Sequence, residues 1–505
     1  VLRSTAEEAE ENCVIGYIIG EATPSEATFL SIKPPKLGQY VVVEHEEGEL
    51  LGMVQALISG SVSLSVDVHD PRVVERVRRL GDLRDLYVKG KVRVLGDVET
   101  LSMPRSPPQP GAEVRLASRQ ILTRVFSFEG SGSVRIGTLI SHPDVPVYID
   151  VNRMVTRHLA ILAMTGAGKS NAVAVITDKV VRLGGTVVIF DMHSEYTRAK
   201  LGGLVNRIEA TVNPAYMTAT ELMQLMRIEP HYHVQERLFR RAYREALRRV
   251  TAEGGSFVDH MERFLESLEE AEGLSSSDKK AVASLINKIE GFRDRYEGVV
   301  DHRADDIVAR IRLRAANVVD LGHVDEEAAD VIVSHTLRRV LTERKRFILE
   351  GRGSLAQPVF MVLEEAHILA PAGRDTLSKY WVSRIAREGR KFGVGLCLVS
   401  QRPKALDPDA LSQANNMIVL RMVEPTDQRH VQQASEALSD DLLAQLPSLN
   451  VGEAVVLGMM VRAPALVKID LYPYKPAGGD IDVVSEWSKK TASLEELEDL
   501  IEKPR

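Results

Sequence analysis

One stretch, AMTGAGKS at 163–170, restricts what this chain can fold into more than any other feature. It follows the continuous apolar run HLAILA and leads into NAVAVITDKVVRL, a helix-forming segment. A buried strand, a glycine-rich turn and a helix in that order open a βαβ unit, and TVVIFD (186–191) supplies the parallel return strand. Gly166 and Gly168 allow backbone N–H groups to curl round an anion where a Cβ would obstruct them, and the helix N-terminus adds partial positive charge. The spacing is that of a phosphate loop, G-x-x-x-x-G-K-[ST], with Ala163 standing at the first glycine. Lys169 is expected to reach the β- and γ-phosphates of ATP, and Ser170 to ligate Mg²⁺. Thr165, Gly166, Ala167, Gly168, Lys169, Ser170 and Asn171 form the expected nucleotide-binding set.

Further buried runs, NVVDLG (317–322), PVFMVL (358–363), GVGLCLVS (393–400) and NMIVLR (416–421), extend this unit into a doubly wound α/β core. Their tips carry chemistry. VFMVLEEAH ends in two carboxylates, where a metal and an attacking water lie off a strand's C-terminal end. Glu364 is expected in the Mg²⁺ shell and Glu365 at the lytic water. EEAH is superficially like a DEAH helicase box, but that superfamily's companion motifs are missing. Asp191, closing the second strand, either supports the metal's waters or Lys169, or simply forms a strand-end turn. His193 in the same loop reads as a hydrogen-bonded loop histidine. Gln401, after the 393–400 strand, senses the γ-phosphate or else only shapes a turn. SRIAREGRKFG (383–393) holds Arg384, Arg387, Arg390 and Lys391. These either complement a helix dipole or include an arginine that completes a neighbouring subunit's site in a ring, Arg390 first and Arg387 second.

Upstream, residues 13–100 carry short apolar runs broken by turn residues (CVIGYIIGE, ATFLSIK, QYVVVEHEE, LLGMVQALI, LYVKGKVRVLG), which predict a small β-barrel. QILTRVF and VRIGTLI read as added strands before a boundary near 148. Met261, Phe264, Leu265 and Leu268, then Val282, Leu285, Ile286 and Ile289 after an N-cap at Asp278, show helical spacing. The expected division is an N-terminal barrel domain (1–148), a first part of the core (149–217), a helical insertion (218–315) and a second part of the core with a C-terminal extension (316–505). A formal net charge of -7 argues against coating nucleic acid by bulk attraction, while leaving room for a local basic channel. Cys13 and Cys397 form no metal or disulfide pattern. With no long apolar run and no signal pattern, a cytoplasmic protein is expected.

In order along the chain, AMTGAGKS, VVIFDMHSEY, VLEEAH, AREGRKFGVG and VSQRP resemble the HerA family of DNA translocases, relatives of the FtsK-type DNA pumps. The resemblance implies a RecA-like P-loop ATPase core, a homo-hexameric ring with a central DNA channel, and work with a NurA nuclease in double-strand break end resection. It also implies that the barrel docks a partner, that Arg157 contacts phosphate, and that LYPYKP (471–476), with Tyr472 and Pro473, flanks adenine. Arg374 and Lys379 are candidate channel cations, or solvated loop charges. Two other functions share the core: a secretion or conjugation ATPase moving protein or protein–DNA cargo, and a nucleotide switch controlling assembly. A water-activating Glu365 and a sensing Gln401 speak against the switch.

Overall fold

The computed structural model describes residues 13–474 and 483–488, apart from 65, 80–84, 129, 230–231, 272–274 and 436. Six strands close the N-terminal barrel: β1 (Val14–Ile19), β2 (Glu26–Ser31), β3 (Tyr40–His45), β4 (Gly48–Ser61), β5 (Leu86–Asp97) and β6 (Glu113–Leu116), in the order β1-β2-β5-β4-β3-β6. Side-chain alternation sorts β3 between two cores. Val41 and Val43 fill the barrel with Ile15, Ile18, Phe29 and Val92, while Tyr40 and Val42 join the larger core of the chain. The Tyr40 hydroxyl donates to the Pro464 carbonyl at 3.0 Å, so the barrel is seated on the core and not tethered loosely. Helix α1 (Pro71–Arg79) stands in the β4–β5 connection and buries none of its residues.

QILTRVF is not a strand. It lies in helix α2 (Arg119–Phe126), because Ser118 accepts the Ile121 N–H as an N-cap and Leu122, Val125 and Phe126 share one buried face. VRIGTLI does form a strand, β7 (Ser133–Leu139), which pairs with β8 (Pro146–Asp150). Both belong to the large sheet through β7 and β17 (Ala465–Ile469), so the boundary expected at 148 cuts through the sheet of the core. Helix α3 (Val151–Thr156) then leads into β9 (Leu159–Leu162) and α4 (Lys169–Arg182).

The remaining strands are β10 (Thr186–Asp191), β11 (Asn206–Glu209), β12 (Ala316–Asp320), β13 (Val359–Leu363), β14 (Val394–Ser400), β15 (Asn416–Leu420) and β16 (Glu453–Gly458). The eleven-stranded sheet runs β11-β12-β10-β13-β14-β9-β15-β16-β17-β7-β8. From β11 to β15 the pairings are parallel, and from β15 to β8 they are antiparallel. Every residue of β9, β10, β12, β13, β14 and β15 is buried, as expected of strands covered on both faces.

Helices α5 (Ala219–Leu225), α6 (His233–Glu253), α7 (Phe257–Glu269) and α8 (Ser276–Arg295) intervene between β11 and β12. The cap of α8 is Ser275, whose hydroxyl accepts the Asp278 N–H, so Asp278 sits inside the first turn instead of capping it. After β12 come α9 (Glu326–Glu350), then α10 (Ala366–Leu369) directly behind β13, and α11 (Leu377–Glu388) before β14. Among the described residues no helix is long and apolar enough to cross a membrane. Residues 475–482 and 489–505, which include the end of LYPYKP and most of the C-terminal extension, lie outside the described residues.

Candidate active site

The phosphate loop joins the C-terminal end of β9 to α4. Gly166 (φ 78°) and Gly168 (φ 105°) both occupy left-handed backbone, and a Cβ on Gly168 would come within 3.3 Å of the Gly452 backbone. Ala163 is buried and its φ is not positive, and its N–H bonds the Ser400 carbonyl at 3.2 Å. It therefore behaves as the last strand residue, which is why alanine suffices there.

Parallel pairing carries the other tips to the same edge. Lys169 Nζ lies 2.6 Å from Glu365 Oε1 and 3.6 Å from Glu364 Oε2, so one ammonium bridges the acid pair to the loop. Glu365 occupies left-handed backbone (φ 47°, ψ 46°) at the start of α10, a conformation rare outside glycine and concentrated at functional sites. Its Oε2 is buried and has no hydrogen bond. Burial pushes the Glu364 carboxyl up to about 7 against the pull of Lys169 and a hydrogen bond from Tyr196. That tyrosine escaped the sequence reading. Its buried hydroxyl donates to Glu364 Oε1 at 2.5 Å and also meets the Ser170 side chain. Gln401 is in place as well, since its Oε1 accepts the Thr165 hydroxyl at 2.7 Å.

Other expectations narrow or change. Asp191 fits the turn reading: its oxygens accept the backbone N–H groups of His193 (3.3 Å), Glu195 (3.0 Å) and Tyr196 (2.8 Å). It fixes the turn that delivers Tyr196. The His193 ring is exposed, with Nε2 3.8 Å from Glu365 Oε1, so it stands beside the acid instead of hydrogen-bonding within its own loop. The Lys379 ammonium donates to the Pro371 and Arg374 carbonyls and pairs with Asp407 at 3.1 Å. It braces the loop after α10. Arg374 stays exposed, 3.4 Å from an equally exposed Glu326.

Arg157 and Arg390 stand at the opposite edge of the sheet. Arg157 precedes β9, whereas the phosphate loop follows it. Arg390 lies in the 3₁₀ turn Gly389–Phe392 ahead of β14, and Gln401 lies beyond its far end. At about 3.3 Å per residue, the seven residues of β14 put Arg390 about 23 Å from Gln401 and the four of β9 put Arg157 about 13 Å from the phosphate loop, both farther than an arginine side chain reaches. His158 clamps this edge together: its Nδ1 accepts the Leu396 N–H at 3.0 Å, so Nε2 carries the proton donated to the Ala386 carbonyl at 3.1 Å. Burial drops its pKa to about 4. Arg387 and Arg390 are exposed, and neither they nor Arg157 has an ion pair or side-chain hydrogen bond among the described residues.

Asn171, in the first turn of α4, donates to the Asp470 carbonyl at 3.0 Å and accepts the Tyr472 N–H at 2.8 Å. This brings Tyr472, Pro473 and Tyr474 alongside Val175, Lys179 and Arg182 around a cleft of about 610 Å³. The Tyr472 hydroxyl is buried there without a partner.

Three family models match almost the whole described chain: a HAS barrel domain over 15–100, the Helicase HerA central domain over 134–340, and a Helicase HerA-like C-terminal domain over 330–473. The DNA double-strand break repair helicase HerA of Saccharolobus solfataricus is 43% identical over 94% of this chain and 96% of its own length. The protein of that name from Pyrococcus furiosus is 33% identical over 95% of this chain and 98% of its own. Among solved structures, VirB4 of Thermoanaerobacter pseudethanolicus shares the fold with a TM-score of 0.50 at 16% identity, covering 69% of this chain and 99% of that one.

Proposed function

The chain belongs to the HerA helicase family, and from that premise we propose that it is an ATP-driven DNA translocase built as a six-membered ring. Lys169 binds the phosphates, Glu365 orients and polarises water, and Gln401 senses the γ-phosphate across its bond to Thr165. The observation that carries the ring is the separation of charges. The acids and Lys169 occupy one edge of the sheet, while Arg157, Arg387 and Arg390 wait unpaired at the other. Those arginines cannot serve their own phosphate loop, so they serve a neighbour's, with Arg390 as the finger. Tyr472 and Pro473 flank the adenine.

Magnesium fits the residues present. The Ser170 hydroxyl and the Glu364 carboxylate are hard oxygen donors linked by the Tyr196 hydroxyl, and both would hold the ion. Phosphate oxygens of the nucleotide would supply further ligands. When bound, the ion neutralises charge on the phosphates. Everything else falls to the chain: Lys169 moves from the acids to the phosphates, and Glu365 takes the proton of the attacking water.

The role we propose is double-strand break end resection with a NurA-type nuclease docked on the barrel, and Arg374 is the remaining candidate for the DNA channel. The test is ATP turnover with and without duplex DNA, alongside ATP-dependent displacement of a protein roadblock. DNA-stimulated turnover with displacement, both abolished in Lys169→Ala, supports the proposal. Turnover indifferent to DNA removes it.

A further inference from the structure

Glu365 has a side chain on either hand, and the one from the phosphate loop hydrogen-bonds it. Lys169 takes Oε1, whereas Oε2 faces His367 Nδ1 at 3.3 Å. The same Nδ1 lies 3.2 Å from the hydroxyl of Ser400, the last residue of β14. That hydroxyl oxygen accepts the Arg402 N–H at 3.1 Å, and the residue between them is Gln401. One ring nitrogen therefore stands between the carboxylate that works on water and the strand tip that feels the γ-phosphate.

Burial holds the His367 pKa below its ordinary value, so the ring is neutral near pH 7 and carries a single N–H. Nδ1 can then donate to Glu365 or accept from Ser400, but not both. With the proton on Nδ1, the ring satisfies the buried Oε2. With the proton on Nε2, the Ser400 hydroxyl donates to Nδ1, and Oε2 is left facing a lone pair. A displacement of the β14 tip shifts the choice between the two. The left-handed backbone of Glu365 makes its aim depend on such neighbours.

We infer that His367 is a positioning residue that couples the Ser400–Gln401 tip to the aim of the Glu365 carboxylate. The inference rests on the reading of Glu365 as the water-orienting acid. Once the nucleotide draws Lys169 away from Oε1, a proton on His367 Nδ1 lets the ring hold Oε2, and that grip depends on the sensor strand.

The test compares His367→Ala, His367→Asn and His367→Gln in the full chain, reading kcat for ATP hydrolysis and the ATP dissociation constant separately. Asparagine places an N–H donor near the Nδ1 position, and glutamine near Nε2. His367→Ala should lower kcat by about 10²-fold, the scale of a misplaced catalytic group, with ATP affinity unchanged. His367→Asn should recover most of that loss and His367→Gln little. Ser400→Ala should cost less alone and add nothing to His367→Ala, because both break one link. Equal behaviour of the Asn and Gln variants, or losses that multiply with Ser400→Ala, would overturn the coupling. Should His367→Ala fail to fold, the Asn and Gln pair still decides. If Glu365→Gln keeps its turnover, the assignment of the acid is wrong. If Glu365→Gln is inactive while the His367 variants are alike, only the coupling fails.

Discussion

The two edges of the parallel sheet differ in how they treat charge. At the edge of the strand tips, charges are buried and paired: Lys169 bridges Glu364 and Glu365, and Tyr196 caps Glu364. At the edge where the strands begin, Arg387 and Arg390 are exposed, and with Arg157 they are unpaired. Only the first edge is a preorganised site. The second has cations whose positions are fixed, by His158 and by the close approach of Gly389 to the Val394 carbonyl, and which have no counterion among the described residues. In the proposed ring, this division gives each copy two half-sites and makes hydrolysis a property of the interface.

The comparison is broken most severely by removing the unpaired cation. Arg390→Ala should bind ATP normally and lose about 10³–10⁵ in hydrolysis rate, the range of arginine fingers elsewhere. Arg390→Lys should recover little, because a point charge does not replace a planar fork. A matching loss of ATP affinity would place Arg390 in ground-state binding instead. Glu365→Gln attacks the paired edge. It should still bind ATP and hydrolyse it about 10²–10⁴-fold more slowly, the range for general bases. If Glu364→Gln behaves that way and Glu365→Gln does not, the roles of the two acids are exchanged.

A smaller effect concerns His158, which holds the arginine edge. Its folded pKa, about 4, lies below the ordinary 6.5, so the native state binds this proton less readily than the unfolded one. The stability due to the neutral ring is full above about 6.5 and is lost as pH falls towards 4. Wild type should therefore lose more in Tm than His158→Asn between pH 8 and pH 5, and equal losses would contradict the burial argument. The smallest effect belongs to the loop charges. Arg374→Ala should reduce the salt dependence of DNA binding slightly and leave basal ATPase intact, whereas Lys379→Ala should lower Tm because it unties Pro371 and Asp407. A Lys379→Ala variant with normal Tm and a flattened salt slope would return that lysine to the channel.

What could be read from sequence was what is written contiguously. The phosphate loop, the buried runs and the acid pair each announce themselves within about ten residues, because strand, turn and helix place them locally. The place of VRIGTLI in the core sheet did not, since β7 joins β17 by a single pairing across more than three hundred residues. QILTRVF reads as a strand by composition and is a helix because Ser118 caps it. Tyr196, His158 and the link of His367 to Ser400 were invisible, as each gains its meaning from a partner far along the chain. For Lys379 and Asp191 the sequence left two readings each, and only the fold shows that both are engaged by nearby backbone.

The measurement that tests the divided site most directly mixes two inactive proteins. Rings of Lys169→Ala lack the phosphate grip and rings of Arg390→Ala lack the finger, so each alone should be inert. In mixed rings some interfaces pair an intact phosphate loop from one copy with an intact arginine from the next. ATP hydrolysis should return there in proportion to those interfaces. If mixed rings form, as followed by co-purification of differently tagged copies, and no hydrolysis returns at any ratio, the claim that the two edges complete one another between copies is contradicted.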